Sequence, residues 1–341
     1  MRSDRLAKLA SPLWYGAGVY QRRWRRCAAQ SPRAVVLIYH RIAPSRGQTR
    51  ERLFGIENGT PADVFEAHMR FARRHFSPIA AADLPPTRPG FHFAVTFDDG
   101  YRDVLDLAAP ILERYGIPAT VFVNSDFLGT DRRFWWEQLG ALLRASSAEA
   151  LDVAEVAPEV RERWELPGRL SLGDPACRER AHRLLSMALM RTAPGEIDGV
   201  LSRLSHALRA PLQREGRDFP LLDWDQALAL RGRGVELGAH GASHANLRLL
   251  AQGELEREIG RSVEEISAHI DAPVRTFAYP YGGPEHRSAE AAAAISRSGC
   301  RAAFTTDIGT VGAASDRWNL PRRGLGRPEA FLCAQRVDAT L

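Results

Sequence analysis

The chain has 341 residues, of which 45% are hydrophobic and 26% charged, enough for one large or two ordinary domains with a buried core. Its formal net charge is +5, carried almost entirely by arginine, and no recognisable nucleic-acid-binding module accompanies this bias, so we expect no nucleic-acid partner. The cysteines show no Cys-x-x-Cys spacing, which argues against a zinc knuckle or a disulfide framework and fits a reduced setting: Cys27, Cys177, Cys300 and Cys333.

The first 33 residues form a basic, aromatic leader. Residues 9–20 are moderately apolar but are interrupted by Ser11, Pro12 and two glycines. The sequence RRWRR follows at residues 22–26, where a signal peptide would need a small-residue cleavage site. No run approaches the roughly 20 apolar residues that span a bilayer. Tryptophans among arginines can lie at a membrane surface, and a loosely ordered basic leader explains the pattern equally well.

Two apolar runs read as buried parallel strands. AVVLIY, at residues 34–39, ends at His40, and FAVTF, at residues 93–97, ends in two adjacent acids, Asp98 and Asp99. In α/β folds the carboxyl end of such a strand opens onto the ligand crevice. A glycine follows the acids, and Asp-Gly is a common turn dipeptide. The acids alone therefore leave a strand-ending turn and a catalytic strand end equally open.

Helix and strand patterns then alternate along the chain. Thr60 as the cap and Pro61 as the first helical residue predict the start of a helix. The later predicted elements are helix 103–115, strand 118–123, helix 222–231, strand 235–239, helix 254–270, strand 274–279, helix 287–299 and strand 302–305. This alternation predicts a parallel-stranded barrel or an open sheet.

The pattern changes between residues 131 and 217, where strand signals are weak and helix-forming residues dominate. The sequence FWWEQL opens this stretch at residues 134–139. We interpret the stretch as a helical insertion on the strand–helix scaffold. The tryptophan pair, Trp135 and Trp136, fits core packing better than a sugar platform. An insertion after a strand at the active-site face is nevertheless well placed to shape substrate choice.

Two further segments bring functional groups to strand ends. His240 and His244 follow strand 235–239 and would converge on one helical turn. With one carboxylate they make a set that can hold Zn²⁺ or another first-row divalent ion and keep positions open. Residues 275–283 are again a strand running into a tight Pro-Tyr-Gly-Gly turn. This turn can expose a backbone N–H to a developing oxyanion, although for this segment alone an ordinary strand-exit turn is the favoured interpretation.

Together the three segments resemble the metal-dependent polysaccharide deacetylases, carbohydrate esterase family four, typified by the nodulation chitooligosaccharide deacetylase. TFDDG at residues 96–100 matches the first family motif, HGASH at residues 240–244 matches the second with Gly241 in place of the usual Ser or Thr, and residues 275–281 are similar to the third. The resemblance implies a distorted parallel (β/α) barrel with fewer than eight strands. The implied domains are a leader (1–33), the barrel (34–130 and 218–327), the insertion (131–217) and a C-terminal tail (328–341).

The resemblance also implies a metal site and a base. Asp99, His240 and His244 would hold a divalent ion, most readily Zn²⁺, with Co, Ni, Mn and Fe as alternatives. Asp98 would be the general base, because a bound cation lowers the pKa of its water and an unligated carboxylate nearby can take the proton. Arg275 would pair with Asp98 and keep it ionised.

The two remaining roles concern the oxyanion and the general acid. The backbone N–H of Tyr281 would help to hold the oxyanion if the third motif transfers. The family's C-terminal histidine, which usually supplies the acid, has no counterpart, because no histidine follows His286. Asp307 and Arg322 resemble remains of that region. His40, at the end of the first strand, is the obvious substitute, and a purely structural histidine is an equal alternative.

The implied function is N-deacetylation of an N-acetylated amino sugar in a polysaccharide or a lipid-linked glycan precursor. The leader and the lack of a convincing export signal favour a cytoplasmic location, peripheral to the inner membrane of a bacterium through residues 1–30. Sugar deformylases and amide hydrolases of the allantoin type share the scaffold and stay open as alternatives. A non-catalytic glycan-binding protein that retains the fold is the competing class, motivated by the missing C-terminal histidine.

Overall fold

A computed structural model of the protein describes residues 11–44, 59–216 and 219–341. Its strands are β1 (Arg33–Tyr39), β2 (Ile42–Ala43), β3 (Thr60–Pro61), β4 (Ser77–Pro78), β5 (Phe91–Phe97), β6 (Ala119–Val123), β7 (Ala150–Asp152), β8 (Arg169–Ser171), β9 (Val235–Ala239), β10 (Thr276–Ala278), β11 (Ala302–Phe304) and β12 (Val311–Gly312). Eight of them form the main sheet, in the order β11-β10-β9-β6-β5-β1-β12, with β4 paired to β5.

The main sheet is a curled half-barrel. All of its strand pairs are parallel except β12, which runs antiparallel to β1. Six of its strands form the continuous parallel path, and β4 and β12 add two residues each. Helices surround the sheet, and the expected distorted parallel (β/α) barrel is confirmed. The parallel strands place the carboxyl ends of β1, β5, β9 and β10 at one rim, where the predicted site residues follow.

Residues 320–323 lie between the two open edges of this half-barrel. On one side Leu320 donates to the Ala303 carbonyl over 2.9 Å. On the other side Arg323 donates to the Val36 carbonyl over 2.7 Å. The segment therefore bridges β11 and β1, and it places Arg322 between them with its side chain completely buried.

The helices are Val19–Gln30, Ala62–His75, Ala109–Tyr115, Trp135–Ala145, Val153–Val156, Pro158–Arg163, Pro175–Leu189, Pro194–Leu208, Trp224–Gly232, Gln252–Ile270, Ala289–Arg297 and Ala330–Asp338. The helix start predicted at Pro61 was wrong. Pro61 belongs to β3, which pairs with β2, so that helix begins at Ala62. The helix predicted from residue 103 begins with a π-helical turn, Val104–Ala108. Pro110 has no N–H to donate, which favours such a turn just before it.

The insertion has a hydrophobic cluster of its own, separate from the clusters of the barrel. Its helices bury leucines against one another, including Leu142, Leu185 and Leu201. An antiparallel pair of strands, β7 and β8, completes it, which the sequence did not predict. Strands of three residues are too short to give a clear alternating pattern.

Part of the basic leader is packed onto the barrel. Helix Val19–Gln30 buries Trp24, whose ring lies 4.9 Å from that of Phe76. Arg23 of the same helix pairs with Asp338 of the C-terminal helix at 2.7 Å. Among the described residues, no helix is both long and apolar enough to cross a membrane.

Candidate active site

Asp98 and Asp99 follow β5 and face different partners. Asp99 has a φ of +71° and the next residue, Gly100, has a φ of +70°, so the backbone turns sharply at the strand end. A left-handed conformation at a residue with a side chain costs about 1–3 kcal/mol, and such residues cluster at functional sites. Both carboxylates are buried, each with 2% of its surface exposed.

The partner of Asp98 is Arg322. The two terminal nitrogens of the guanidinium donate to the two carboxylate oxygens over 2.6 and 2.7 Å, while its Nε donates to the Thr305 carbonyl over 2.8 Å. Burial alone would raise the pKa of Asp98. The charge and hydrogen bonds of Arg322, with the charge of His240, outweigh burial and lower this pKa to about 2. Asp98 is therefore an ionised carboxylate at neutral pH.

The predicted pair of Arg275 with Asp98 was wrong. Arg275 precedes β10, at the amino end of the strand, and lines a cavity together with Arg231 and Glu236. The site lies at the carboxyl ends of the strands, so the length of a strand separates the Arg275 backbone from it. The side chain that the family pattern led us to expect from β10 comes instead from the segment that bridges β11 and β1.

Asp99, His240 and His244 form a compact buried group. Asp99 Oδ1 lies 3.6 Å from His240 Nε2 and 3.4 Å from His244 Nε2, and one possible ligand atom from each residue lies within 4.8 Å of the others. Burial is the main reason that the pKa of His240 falls to about 4, so its imidazole is neutral. His240 Nδ1 donates to the Ala278 carbonyl over 2.7 Å, which leaves the Nε2 lone pair facing Asp99.

These residues fit a divalent metal. Asp99 Oδ1 is buried and has no hydrogen-bond partner among the described residues, an arrangement that is costly unless a cation or donor satisfies it. Two imidazoles and one carboxylate are a donor set that first-row divalent ions accept with coordination positions left open. The buried oxygen and the fixed His240 tautomer together favour a metal over a simple ion pair.

The two histidines converge through a turn and not through the expected helical turn. Gly241 has a φ of +78° and His244 a φ of +60°. Glu258, from helix Gln252–Ile270, accepts hydrogen bonds from the Ser243 N–H over 2.7 Å and from the Ser243 hydroxyl over 3.0 Å. A Cβ at position 241 would lie 2.8 Å from Glu258 Oε1. The buried glutamate and the left-handed backbone together explain why glycine replaces the usual Ser or Thr.

Gly241→Ser is therefore expected to destabilise the protein by about 1–3 kcal/mol, through backbone strain and through displacement of the Glu258 carboxylate. Urea unfolding of the purified variant measures this change. Gly260→Ala is the matched control, because Gly260 lies in the same helix as Glu258 with open space around it, and we expect no loss of stability. Equal unfolding midpoints for Gly241→Ser and wild type would show that the turn does not need glycine.

His40 and Tyr281 both lie at this rim. Burial raises the pKa of Asp98 and of Asp99, and the charge of His40 is among the causes that lower both. Tyr281 has a φ of +62°, and its ring lies edge-on to His244 with centroids 4.7 Å apart. The Tyr281 N–H donates no hydrogen bond within the described part of the chain.

Sequence reasoning missed several residues of the site. Arg322 was noted only as a remnant of the C-terminal region, and Glu258 and Asn124 were not considered. Asn124 follows β6 and donates to the His240 carbonyl over 2.5 Å. A polar residue directly after a predicted strand was the signal available for Asn124. Glu258 lies inside an amphipathic helix, where no feature of the sequence distinguishes a buried glutamate from a solvent-exposed one.

Three comparisons agree with this geometry. The family profile described as Polysaccharide deacetylase matches residues 86–155 and 202–301, leaving out residues 156–201 of the insertion. YxkH of Bacillus subtilis, a polysaccharide deacetylase by name, is 25% identical over 142 residues, which is 37% of this chain and 47% of YxkH. The chain thus matches about half the length of that relative.

Solved structures of similar fold include the Streptococcus pyogenes deacetylase PplD in complex with acetate (TM-score 0.52, 15% identity, 89% of this chain and 97% of that chain). IcaB from Ammonifex degensii is another (TM-score 0.53, 18% identity, 89% and 96%). At these identities the two likenesses concern the fold alone. With the matching profile and the curated relative added, the chain belongs to the polysaccharide deacetylase family.

Proposed function

We propose that the protein is a metal-dependent hydrolase that removes an N-acetyl or other N-acyl group from an amino sugar in a polysaccharide or a lipid-linked glycan precursor. The observation that carries the proposal is an ionised, buried Asp98 beside the buried group of Asp99, His240 and His244. Family membership supports deacetylation in general. PplD, a neighbour by fold, was solved with acetate, the product that removal of an acetyl group releases.

Asp98 is the proposed general base. Arg322 holds both of its oxygens, keeps it ionised and fixes its orientation, so it can accept a proton from an attacking water. Asp99, His240 and His244 would hold the divalent ion, most readily Zn²⁺. Such an ion supplies Lewis-acid chemistry, which acidifies water and polarises the amide carbonyl. In this proposal the adjacent residues Asp98 and Asp99 have different roles, the first as general base and the second as metal ligand.

Tyr281 and His40 complete the proposed site. The Tyr281 N–H, free of other acceptors in the described residues, is the donor proposed for the oxyanion that develops on the acyl carbon. His40 is proposed to protonate the departing amine, because it follows β1 at the rim and its charge acts on both Asp98 and Asp99. This assignment replaces the missing C-terminal histidine.

His40→Ala is expected to lower kcat by about 10²-fold and to remove the alkaline limb of the pH–rate profile, since that limb reports the group that must be protonated. The measurement is kcat across pH 5 to about 10 with one fixed substrate. His269→Ala is the control, because that ring stacks on Trp224 at 3.7 Å and lies outside the site. If kcat barely falls and the alkaline limb persists, another group is the acid.

The proposed function is tested by acyl release from a panel of N-acylated glycans and lipid-linked glycans, with and without a chelator, followed by return of Zn²⁺. We expect acetate release that the chelator abolishes and Zn²⁺ restores. Formate release from an N-formyl sugar would identify a deformylase. Glycan binding without release would favour the non-catalytic alternative, and chelator-insensitive release would contradict the metal-dependent mechanism.

A cytoplasmic location peripheral to a bacterial inner membrane remains a proposal, supported by the exposed leader surface. Leu13 and Trp14 are exposed beside a helix whose outward face carries arginines 22, 25 and 26. We expect the double variant Leu13→Ser, Trp14→Ser to reduce co-sedimentation with anionic vesicles by about tenfold. The variant should still fold, because it leaves the buried Trp24 unchanged. Neutral vesicles are the control. Unchanged sedimentation of the double variant would remove the support for membrane contact.

A further inference from the structure

The first helix of the insertion reaches the predicted metal ligand His244. The Trp136 ring lies edge-on to the His244 ring, with centroids 4.7 Å apart and planes at 63°. Phe134 makes a similar contact at 5.8 Å, and Tyr281 covers the ligand from the rim at 4.7 Å. Trp136 is itself buried. The insertion therefore supplies part of the wall around the metal group.

His244 differs from His240 in how its ring is held. The Nδ1 of His240 donates to the Ala278 carbonyl, the kind of outer contact that fixes the orientation of most histidine ligands. The Nδ1 of His244 is buried and has no hydrogen-bond partner among the described residues. The backbone of His244 is also left-handed, with a φ of +60°. Apart from the approach of Nε2 to Asp99, the contacts of the His244 ring among the described residues are those with neighbouring aromatic rings.

A stack of aromatic rings holds Trp136 in place. Phe127 stacks on Phe134 with centroids 4.2 Å apart, and Phe134 stacks on Trp136 at 4.3 Å with planes only 11° apart. Such offset ring pairs prefer defined geometries and resist rotation. Phe127 belongs to the loop after β6, so the stack joins the barrel to the insertion.

Hydrogen bonds fix the same helix to the Asp-Asp segment. Glu137 is buried and accepts hydrogen bonds from the Tyr101 hydroxyl over 3.0 Å and from the Phe134 N–H over 3.1 Å. The Trp136 Nε1 donates to the Tyr101 hydroxyl over 3.4 Å. Tyr101 directly follows Gly100. Hydrogen bonds thus connect the helix to the end of β5 that carries Asp98 and Asp99.

We propose that Trp136 is a positioning residue of the metal centre: through it, the insertion orients His244 and raises the affinity of the site for a divalent ion. The inference rests on the proposed function, because it requires that Asp99, His240 and His244 hold a metal. It gives the insertion a role beyond substrate choice, and it explains why a metal ligand without its own outer hydrogen bond is surrounded by rings.

The test is Co²⁺ binding to the metal-free full-length protein, read from the visible absorption of bound Co²⁺ and from competition with a chromophoric chelator. We expect Trp136→Leu to weaken Co²⁺ binding by about tenfold and to alter the absorption band. Loss of a residue that orients a metal ligand usually lowers metal affinity by about 10–100-fold, and we expect the lower value here. Trp136→Phe keeps a ring beside His244 and should recover most of the affinity. Trp164→Leu changes a tryptophan that packs against the insertion's own cluster, and should bind Co²⁺ like wild type.

Each result supports or overturns the proposal. Wild-type affinity and spectrum in Trp136→Leu would overturn it while leaving the metal site intact. Failure of the wild type to bind Co²⁺ would instead overturn the proposed metal centre. If Trp136→Leu does not fold by circular dichroism, Tyr101→Phe takes its place, because it removes only the hydroxyl that anchors Trp136 and Glu137. An affinity loss of about threefold in that variant supports the proposal, and no loss contradicts it.

Discussion

Replacing Arg322 by methionine is expected to destabilise the protein by about 3–5 kcal/mol at neutral pH and to move the acidic limb of the pH–rate profile to higher pH. The Arg322 side chain is completely buried and occupies both oxygens of Asp98. Its removal leaves a buried carboxylate without its counter-charge. The free-energy cost of that unpaired charge is larger than the net stability that the intact ion pair contributes. Urea unfolding and the pH dependence of kcat measure the two effects.

The direction of both effects follows from the pKa of Asp98. In the wild type burial raises this pKa, but Arg322 and His240 outweigh it and lower the value to about 2. The stability gained is therefore present above the ordinary pKa of about 4 and lost as pH falls toward 2. Without Arg322, burial dominates and the pKa rises. The variant should then be least stable relative to wild type at neutral pH, and less destabilised near pH 4, where the raised pKa leaves the carboxyl of the folded variant protonated and uncharged.

Arg23→Met is the matched control for Arg322→Met. Arg23 pairs with Asp338 at 2.7 Å, but 53% of its side chain is exposed, and such surface pairs contribute about 0–1 kcal/mol. We expect its unfolding and its pH–rate profile to stay close to those of wild type. Equal stability of Arg322→Met and Arg23→Met, with an unmoved acidic limb, would show that Arg322 does not keep Asp98 ionised.

The barrel could be predicted because its strands are buried on both faces. Residues 34–39 and 93–97 read as continuous apolar runs, and the observed strands β1 and β5 differ from them by at most two residues at one end. Helix Gln252–Ile270 likewise keeps an apolar stripe over five turns. Segments such as β3 and β7 could not be predicted, because two or three residues carry no periodic signal and their pairing depends on distant partners.

The candidate site was predictable only where a motif stands at a strand end. Asp98, Asp99, His240 and His244 lie together at the rim as the sequence indicated. The partner of Asp98 was not predictable, because Arg322 reaches it through a bridging segment 224 positions further along the chain. No local pattern encodes such a long-range contact. The family pattern assigned the role to an arginine in the third motif, and here the barrel closure supplies it.

The aromatic rings around His244 could not be predicted as part of the site from the sequence. The sequence favoured core packing over a sugar platform for Trp135 and Trp136; Trp136 is buried, whereas Trp135 is half-buried. What it packs against depends on how the insertion folds back onto the barrel, through Tyr101 and Glu137. The same side chain is therefore both a core residue and a neighbour of the metal group. Composition and periodicity can predict that Trp136 is buried, but they cannot predict that it contacts the metal group.

Asp98→Asn is expected to lower kcat for the proposed deacetylation by about 10²–10⁴-fold, the usual contribution of a general base, while metal binding is retained. Asparagine has the shape of aspartate but cannot take a proton from water. The group of Asp99, His240 and His244 does not include the altered carboxylate. The measurements are kcat per bound metal and Co²⁺ affinity of the same preparation.

Asp99→Asn separates the two acids, because it alters the proposed metal ligand and leaves the base and its Arg322 partner intact. We expect this variant to lose Co²⁺ affinity by at least about tenfold, whereas Asp98→Asn loses turnover at full metal occupancy. Asp338→Asn alters a carboxylate that pairs with Arg23 and belongs neither to the metal group nor to the Asp98–Arg322 pair, and it should change neither quantity. The reverse result, metal loss in Asp98→Asn and slow turnover with full metal in Asp99→Asn, would exchange the two roles. Loss of metal in both variants would instead make Asp98 a ligand, and the base would then have to be sought beyond the pair.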